Sequence, residues 1–256
     1  MEVHHHPNVE KKSFKEYFLE FIMIFLAVSL GFAAESLREY INENNRAKEF
    51  AKEMVSDLKS DTADLKWYLG YTGYAESNID TLMQLLSNYE PKEIPTGKLY
   101  WYGLFGGTPG QFVPHDATIH QMESSGSLRY FTNVDLNKKV AEYDQLCRAW
   151  EKNEETDRGI YLEVRKARAK IFEFKYNDAA NNIYQKYKST PNKEILDSFF
   201  KTNPPVLTYD KASFNEYLEM VRSRFLNRQL SSADTLLNRA TILIETLKKV
   251  YHLKNE

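Results

Sequence analysis

Fourteen consecutive uncharged residues, Phe21 to Ala34 (FIMIFLAVSLGFAA), stand between a short polar N-terminus and a chain that stays polar to its end. A bilayer's hydrocarbon core, about 30 Å thick, takes roughly 20 apolar residues at 1.5 Å each, so fourteen cover only about 21 Å. Extension through Tyr17, Phe18 and Leu19 completes a span and leaves Glu20 and Glu35 near its two boundaries, within reach of headgroups. Residues 14–36 are therefore expected to be an uncleaved transmembrane anchor, after a tail at 1–13 and before a helical stalk and bundle domain at 37–256. Two alternatives stay open. One is the buried core helix of a soluble domain; the other is a cleavable signal peptide with Lys11, Lys12 and Lys15 as its basic region and Gly31-Phe32-Ala33 as its cleavage site, against which Glu20 counts.

At 100° per residue, Glu20, Ile24, Ala27, Gly31, Ala34 and Arg38 fall within about 40° of one line along a helix. Large side chains, Phe18, Ile22, Phe25, Leu26 and Phe32, collect on the other side. Small residues spaced as Ala27-x-x-x-Gly31 let a second helix approach closely, and a donor on that helix would make the carboxylate tolerable. Glu20, Ile24, Ala27, Gly31 and Ala34 are thus the expected face toward another transmembrane helix, of a second copy or of a membrane complex. Three lysines precede the span, and Arg38, Arg46 and Lys48 follow it. The lysines lie closer to the membrane than two of the three following cations, which favours an N-terminus inside.

Beyond the anchor, Leu37, Tyr40, Asn44, Ala47, Ala51, Met54, Leu58, Asp61, Leu65, Tyr68, Thr72, Ala75, Ile79, Leu82 and Leu86 recur at alternating spacings of three and four. That seam predicts one helix from Phe14 to about Ser87, bending at Gly70 or Gly73, with Asn44 and Asp61 as solvated or register-setting positions. Residues 90–114 hold Pro91, Pro95, Pro109, Pro114 and five of the ten glycines, so the helix must end there. The aromatics of that stretch, Tyr100, Trp101, Tyr102, Phe105 and Phe112, read either as a recognition loop or as a cap tucked over a bundle end.

Asp116 is expected to cap a short helix that Gly126 stops, and Asn133 or Asp135 another. The latter runs through Leu136, Val140, Tyr143, Cys147 and Trp150 to about Tyr187, with Gly159 as a candidate break. A brief helix at 194–200 precedes Pro204-Pro205, and a last helix from about Ser213 reaches Val250. No stretch alternates with period two long enough to require a sheet. The predicted fold is all-α: a transmembrane helix continuing into a stalk helix that packs in an elongated antiparallel bundle.

Composition narrows function mainly by exclusion. A net charge of −2 gives no reason to expect nucleic acid, and the single Cys147 cannot form an internal disulfide. His4 to His6 read as a disordered tail or remnant rather than a metal site. His115, Asp116, His120 and Glu123 gather ionisable groups, but at no common zinc spacing. Ser124-Ser125-Gly126-Ser127 lacks both the nucleophile elbow and a phosphate-loop lysine, and reads as a helix stop with a turn. Arg129 and Tyr130 beside it could hold an anion. Arg165, Lys166, Arg168 and Lys170 read as a solvated helix face. No catalytic, cofactor or metal residues are assigned, and no enzyme is expected.

The join of Glu20-Phe21 to an apolar run containing Gly31, then Arg38 and a long acidic-basic helix, resembles the start of an uncharacterised family of bacterial, mostly Bacteroidetes, membrane proteins. The segment His120 to Asp144 (HQMESSGSLRYFTNVDLNKKVAEYD) is similar to that family's Ser-Gly-x-Leu element and following helix. Glu35-Ser36-Leu37 stands where the family has an Asn-Trp pair. The resemblance implies one N-terminal span, a helical soluble domain and no assigned activity, and with the charge count it places the anchor in a bacterial inner membrane and the bundle in the periplasm. The functional expectation is a membrane-anchored scaffold or accessory subunit of a larger membrane assembly. The alternative is an extracytoplasmic ligand-sensing bundle that signals through a membrane partner.

Overall fold

The computed structural model describes residues 13–107, 110–189, 192–230 and 232–254. His4 to His6, Lys11, Lys12 and Pro109 lie outside the described residues. Among the described residues there are eight α-helices and no strand: α1 (Phe14–Asn88), α2 (Thr96–Leu104), α3 (Ala117–Ser124), α4 (Val134–Ile171), α5 (Phe174–Ser189), α6 (Lys193–Phe200), α7 (Lys211–Leu230) and α8 (Ala233–Tyr251). The chain divides into two units, Met1–Phe50 and Ala51–Glu256, with the boundary inside α1.

In the first unit α1 is the one helix, among the described residues, long and apolar enough to cross a membrane, and none of that apolar window is buried. Ser13 N–H donates to Glu16 Oε2 at 2.8 Å, which satisfies an orphan donor at the helix start. Leu37 and Tyr40 of the seam are exposed.

In the second unit every seam position from Ala51 to Leu82 is buried. Gly70 and Gly73 each cost a helix roughly 1 kcal/mol against alanine, yet α1 runs through both, because the flanking Tyr68, Thr72 and Ala75 are packed. Two contacts fix the direction of α4 along α1: Asp61 meets Tyr143 and Tyr68 meets Trp150, so both helices advance seven residues together and run parallel. Helices α7 and α8 run antiparallel to α4, with Lys170 on Glu216, Asp157 on Arg224 and Glu142 on Arg239.

Two helices predicted as continuous are divided. The chain does not break at Gly159 but at Phe172-Glu173, where it reverses, so that α5 runs antiparallel to α1 with Tyr184 beside Tyr74 and Lys188 over Trp67. No breaker residue stands there. The reversal buries Phe172 against Tyr100, Phe214 and Tyr217, a long-range reward that local propensity does not encode. The last helix is also two: Ser232 caps α8 by accepting from Thr235 N–H at 3.2 Å, a signal present in the sequence as Ser-x-x-Thr.

Helix α2 is the centre of the second unit's core, which gathers Trp101, Phe105, Ile171, Phe172, Phe214 and Tyr217. Close approach depends on the glycines of α2 and the turn after it: a Cβ at Gly97 would overlap the Phe199 carbonyl, and one at Gly106 the Tyr217 hydroxyl. The connector around Pro204-Pro205 is pinned by Thr96 Oγ1, which donates to the Pro204 carbonyl at 2.6 Å, and by Tyr100, whose hydroxyl donates to the Pro205 carbonyl at 2.7 Å.

Candidate functional site: an aromatic groove on the bundle

The residues read as either a recognition loop or a tucked cap are interior. Tyr100, Trp101 and Phe105 are at most 1 % exposed and lie on α2 and the turn after it, Phe112 is 2 % exposed, and Tyr102 is half-buried. Their polar atoms are occupied inside the fold. Trp101 Nε1 donates to Asn78 Oδ1 at 3.3 Å, and Trp150 Nε1 donates to the Phe112 carbonyl at 3.1 Å. A helix with no exposed residue leaves these rings within the core of the second unit.

On the apolar part of α1, Ile24, Ala27, Gly31 and Ala34 share one exposed face and Glu20 is half-buried; among the described residues no other element of the first unit covers them. A Cβ added at Gly31 meets nothing within 4 Å.

The ionisable groups near α3 are distributed as supports. Asp116 does not cap the helix with its side chain; Asp57 of α1 does, accepting from Thr118 N–H at 3.1 Å and Thr118 Oγ1 at 2.6 Å. Asp116 instead pairs with His120 at 2.9 Å. Asp61 is fully buried rather than solvated, and accepts from His115 N–H at 2.7 Å and from the Tyr143 hydroxyl at 2.6 Å, with His115 Nδ1 at 3.0 Å. It ties the loop before α3 and the first half of α4 to α1. Burial pushes the neighbouring Cys147 thiol up to about 12, which keeps it protonated.

The run from Arg165 to Lys170 is not uniformly solvated. Lys166 and Lys170 pair with Glu163 and Glu216 at the surface, but Arg168 is buried, bonded to Asn177 and stacked over Phe172. Burial pulls its pKa down. Deeper still, Asp157 of α4 receives Arg224 Nη2 at 2.8 Å and Arg228 Nε at 3.3 Å, all three side chains being less than 10 % exposed. Arg224 also donates to the Gly106 carbonyl and Arg228 to the Gly110 carbonyl, and the Arg224 guanidinium lies 4.8 Å from the Tyr161 ring centre. This cluster clamps the turn after α2 to the bundle. Burial, then the charge of Asp157, raises the pKa of the adjacent Glu154.

One concave surface is both open and built from rigid side chains. Trp67, Gly70, Tyr71 and Tyr74 of α1 face Tyr184 and Tyr187 of α5 across a groove of about 410 Å³, with Lys66 and Lys188 at its rim. The Trp67 and Tyr71 rings stack at 5.3 Å and 6°, and Tyr74 lies nearly parallel to Tyr184 at 6.5 Å. Tyr184 is buried from behind, its ring edge-on to Phe105 at 5.1 Å, and burial pushes its hydroxyl up to about 12. The sequence held a partial signal for this groove in the spacing Trp67, Tyr71, Tyr74 around Gly70, beside the seam. Its other wall depends on the reversal at Phe172. No protein-family model matches the chain, and no curated protein or solved structure matches it.

Proposed function

We propose that this protein is a single-pass, membrane-anchored helical subunit that serves a larger membrane assembly as scaffold or accessory component. The observation that carries the reading is the exposure of the apolar part of α1: among the described residues of the first unit nothing covers it, although water would leave Phe18, Phe21, Phe25 and Phe32 uncompensated. A bilayer compensates the large face, and a second helix fits the small face of Glu20, Ile24, Ala27, Gly31 and Ala34. Under this reading residues 14–36 span a bacterial inner membrane with the N-terminus inside and the bundle in the periplasm, as in the uncharacterised family that the N-terminus resembles. The burial of the seam from Ala51 onward by the chain's own helices moves the expected partner contact to the anchor.

Purification in mild detergent, with mass spectrometry of what stays bound, tests it. Stoichiometric companions with their own membrane helices, lost in Gly31→Leu, are the expected result. An unchanged set of companions in that variant would remove the small face as the contact.

A second reading, a ligand-sensing bundle that signals through a membrane partner, is favoured by the open groove between α1 and α5.

A further inference from the structure

We infer that the groove between α1 and α5 is a binding site for a small planar aromatic molecule that carries an anionic group. The inference rests on the second reading, that the bundle binds a ligand. About 410 Å³ lies in the size range of small-molecule sites, and the lining is aromatic with few polar groups. Gly70 supplies the gap: a Cβ there meets nothing within 4 Å, so a flat ring laid over it reaches the aromatic side chains of both helices. The walls are held before any ligand arrives. Tyr184 and Tyr187 rest edge-on against Trp101 at 6.0 and 5.7 Å, and Trp101 is itself core, so little ordering is left to the binding step.

Charge selects among planar molecules. The two charged residues lining the groove, Lys66 and Lys188, are both cations, and Lys188 Nζ already lies 5.8 Å from the Trp67 ring centre. An aromatic cage for an ammonium group presents bare ring faces, whereas here a ligand cation would meet two like charges. A carboxylate, sulfonate or phosphate at the rim pairs with them while the ring stacks below.

The test is calorimetric titration of the full chain in lipid nanodiscs with 2-naphthoate, 2-naphthamide and 2-naphthylmethylammonium, empty-nanodisc heats being subtracted. Naphthoate is expected to bind about tenfold tighter than the amide, and the ammonium weakest. Trp67→Ala should weaken naphthoate by about tenfold or more, and Gly70→Leu, which fills the gap from an unobstructed position, should abolish it if Trp67→Ala fails to fold. The double variant K66Q/K188Q should equalise naphthoate and amide while preserving amide binding. Equal affinities for acid and amide in the native chain would overturn the anionic class and leave the groove as a ligand site. Absence of saturable binding by all three probes, or undiminished binding in Gly70→Leu, would overturn both. A change from dimer to monomer in Trp67→Ala, measured by sedimentation, would assign the groove to a second copy and overturn the proposal.

Discussion

Asp157 is bonded to both Arg224 and Arg228 in a buried site, so the three side chains are coupled. Replacing a whole buried ion group with apolar residues is often neutral, but removing one partner strands the other charges and costs about 3–5 kcal/mol. Asp157→Ala should therefore destabilise by that amount in denaturant titration, while the exposed pair of Lys166 and Glu163 should contribute less than about 1 kcal/mol. Glu154, one turn earlier, acts in the opposite sense. Its pKa is raised in the fold above the ordinary 4.5, so the folded chain holds the proton to a higher pH than the unfolded chain. Ionisation then costs stability above the unfolded value, and the cost vanishes below it. Glu154→Gln is expected to raise the melting temperature at about pH 7.5, with the difference closing as pH falls toward about 4. A third residue offers a clean reporter. Cys147 is the only cysteine and its thiol is held protonated by burial, so a thiol reagent at about pH 8 should label it only as fast as the bundle opens.

At the scale of elements, α2 decides how closely the second unit packs. A short helix with glycine at 97 and 103, followed by Gly106 in the turn after it, can bring its backbone onto the α6 end, Phe172 and Tyr217, and Gly97 N–H donates to the Thr202 carbonyl at 3.0 Å as a result. Gly97→Ala should cost about 1–3 kcal/mol by overpacking against backbone carbonyls that have no side chain to swing aside. Gly70→Ala on α1 should be neutral or slightly stabilising, since the same added carbon meets open space and alanine is the better helix former. Comparison of the two melting temperatures checks both.

For the whole molecule, the two units differ in what they leave exposed. In the second unit the chain buries its own apolar stripe; in the first it leaves large aromatic and aliphatic side chains exposed. Under the proposed membrane-subunit reading, Gly31→Leu should leave the melting of the bundle unchanged and alter only association through α1, because among the described residues no group lies where the new side chain begins. Circular dichroism with native electrophoresis in mild detergent checks the pair of outcomes.

The all-α class, the length of α1 and the buried seam were all legible in the sequence, because hydrophobic period and breaker residues are local properties and the helix obeys them. The start of α4 at Asn133 or Asp135, of which Asn133 is the cap, and the brief α6 were legible from local signals as well. Four matters belonged to the tertiary structure: the reversal at Phe172, the burial of Tyr100, Trp101 and Phe105, the transfer of the α3 cap from Asp116 to Asp57, and the groove itself. Each depends on residues far apart in the chain, such as Asp57 and Thr118, 61 positions apart. An aromatic run without context can be a surface or a core, and only the arrival of α5 and α6 against α2 makes it core. Periodicity states which face of a helix wants burial; packing free energy, summed over neighbours that the local sequence does not name, selects what buries it and what is left open.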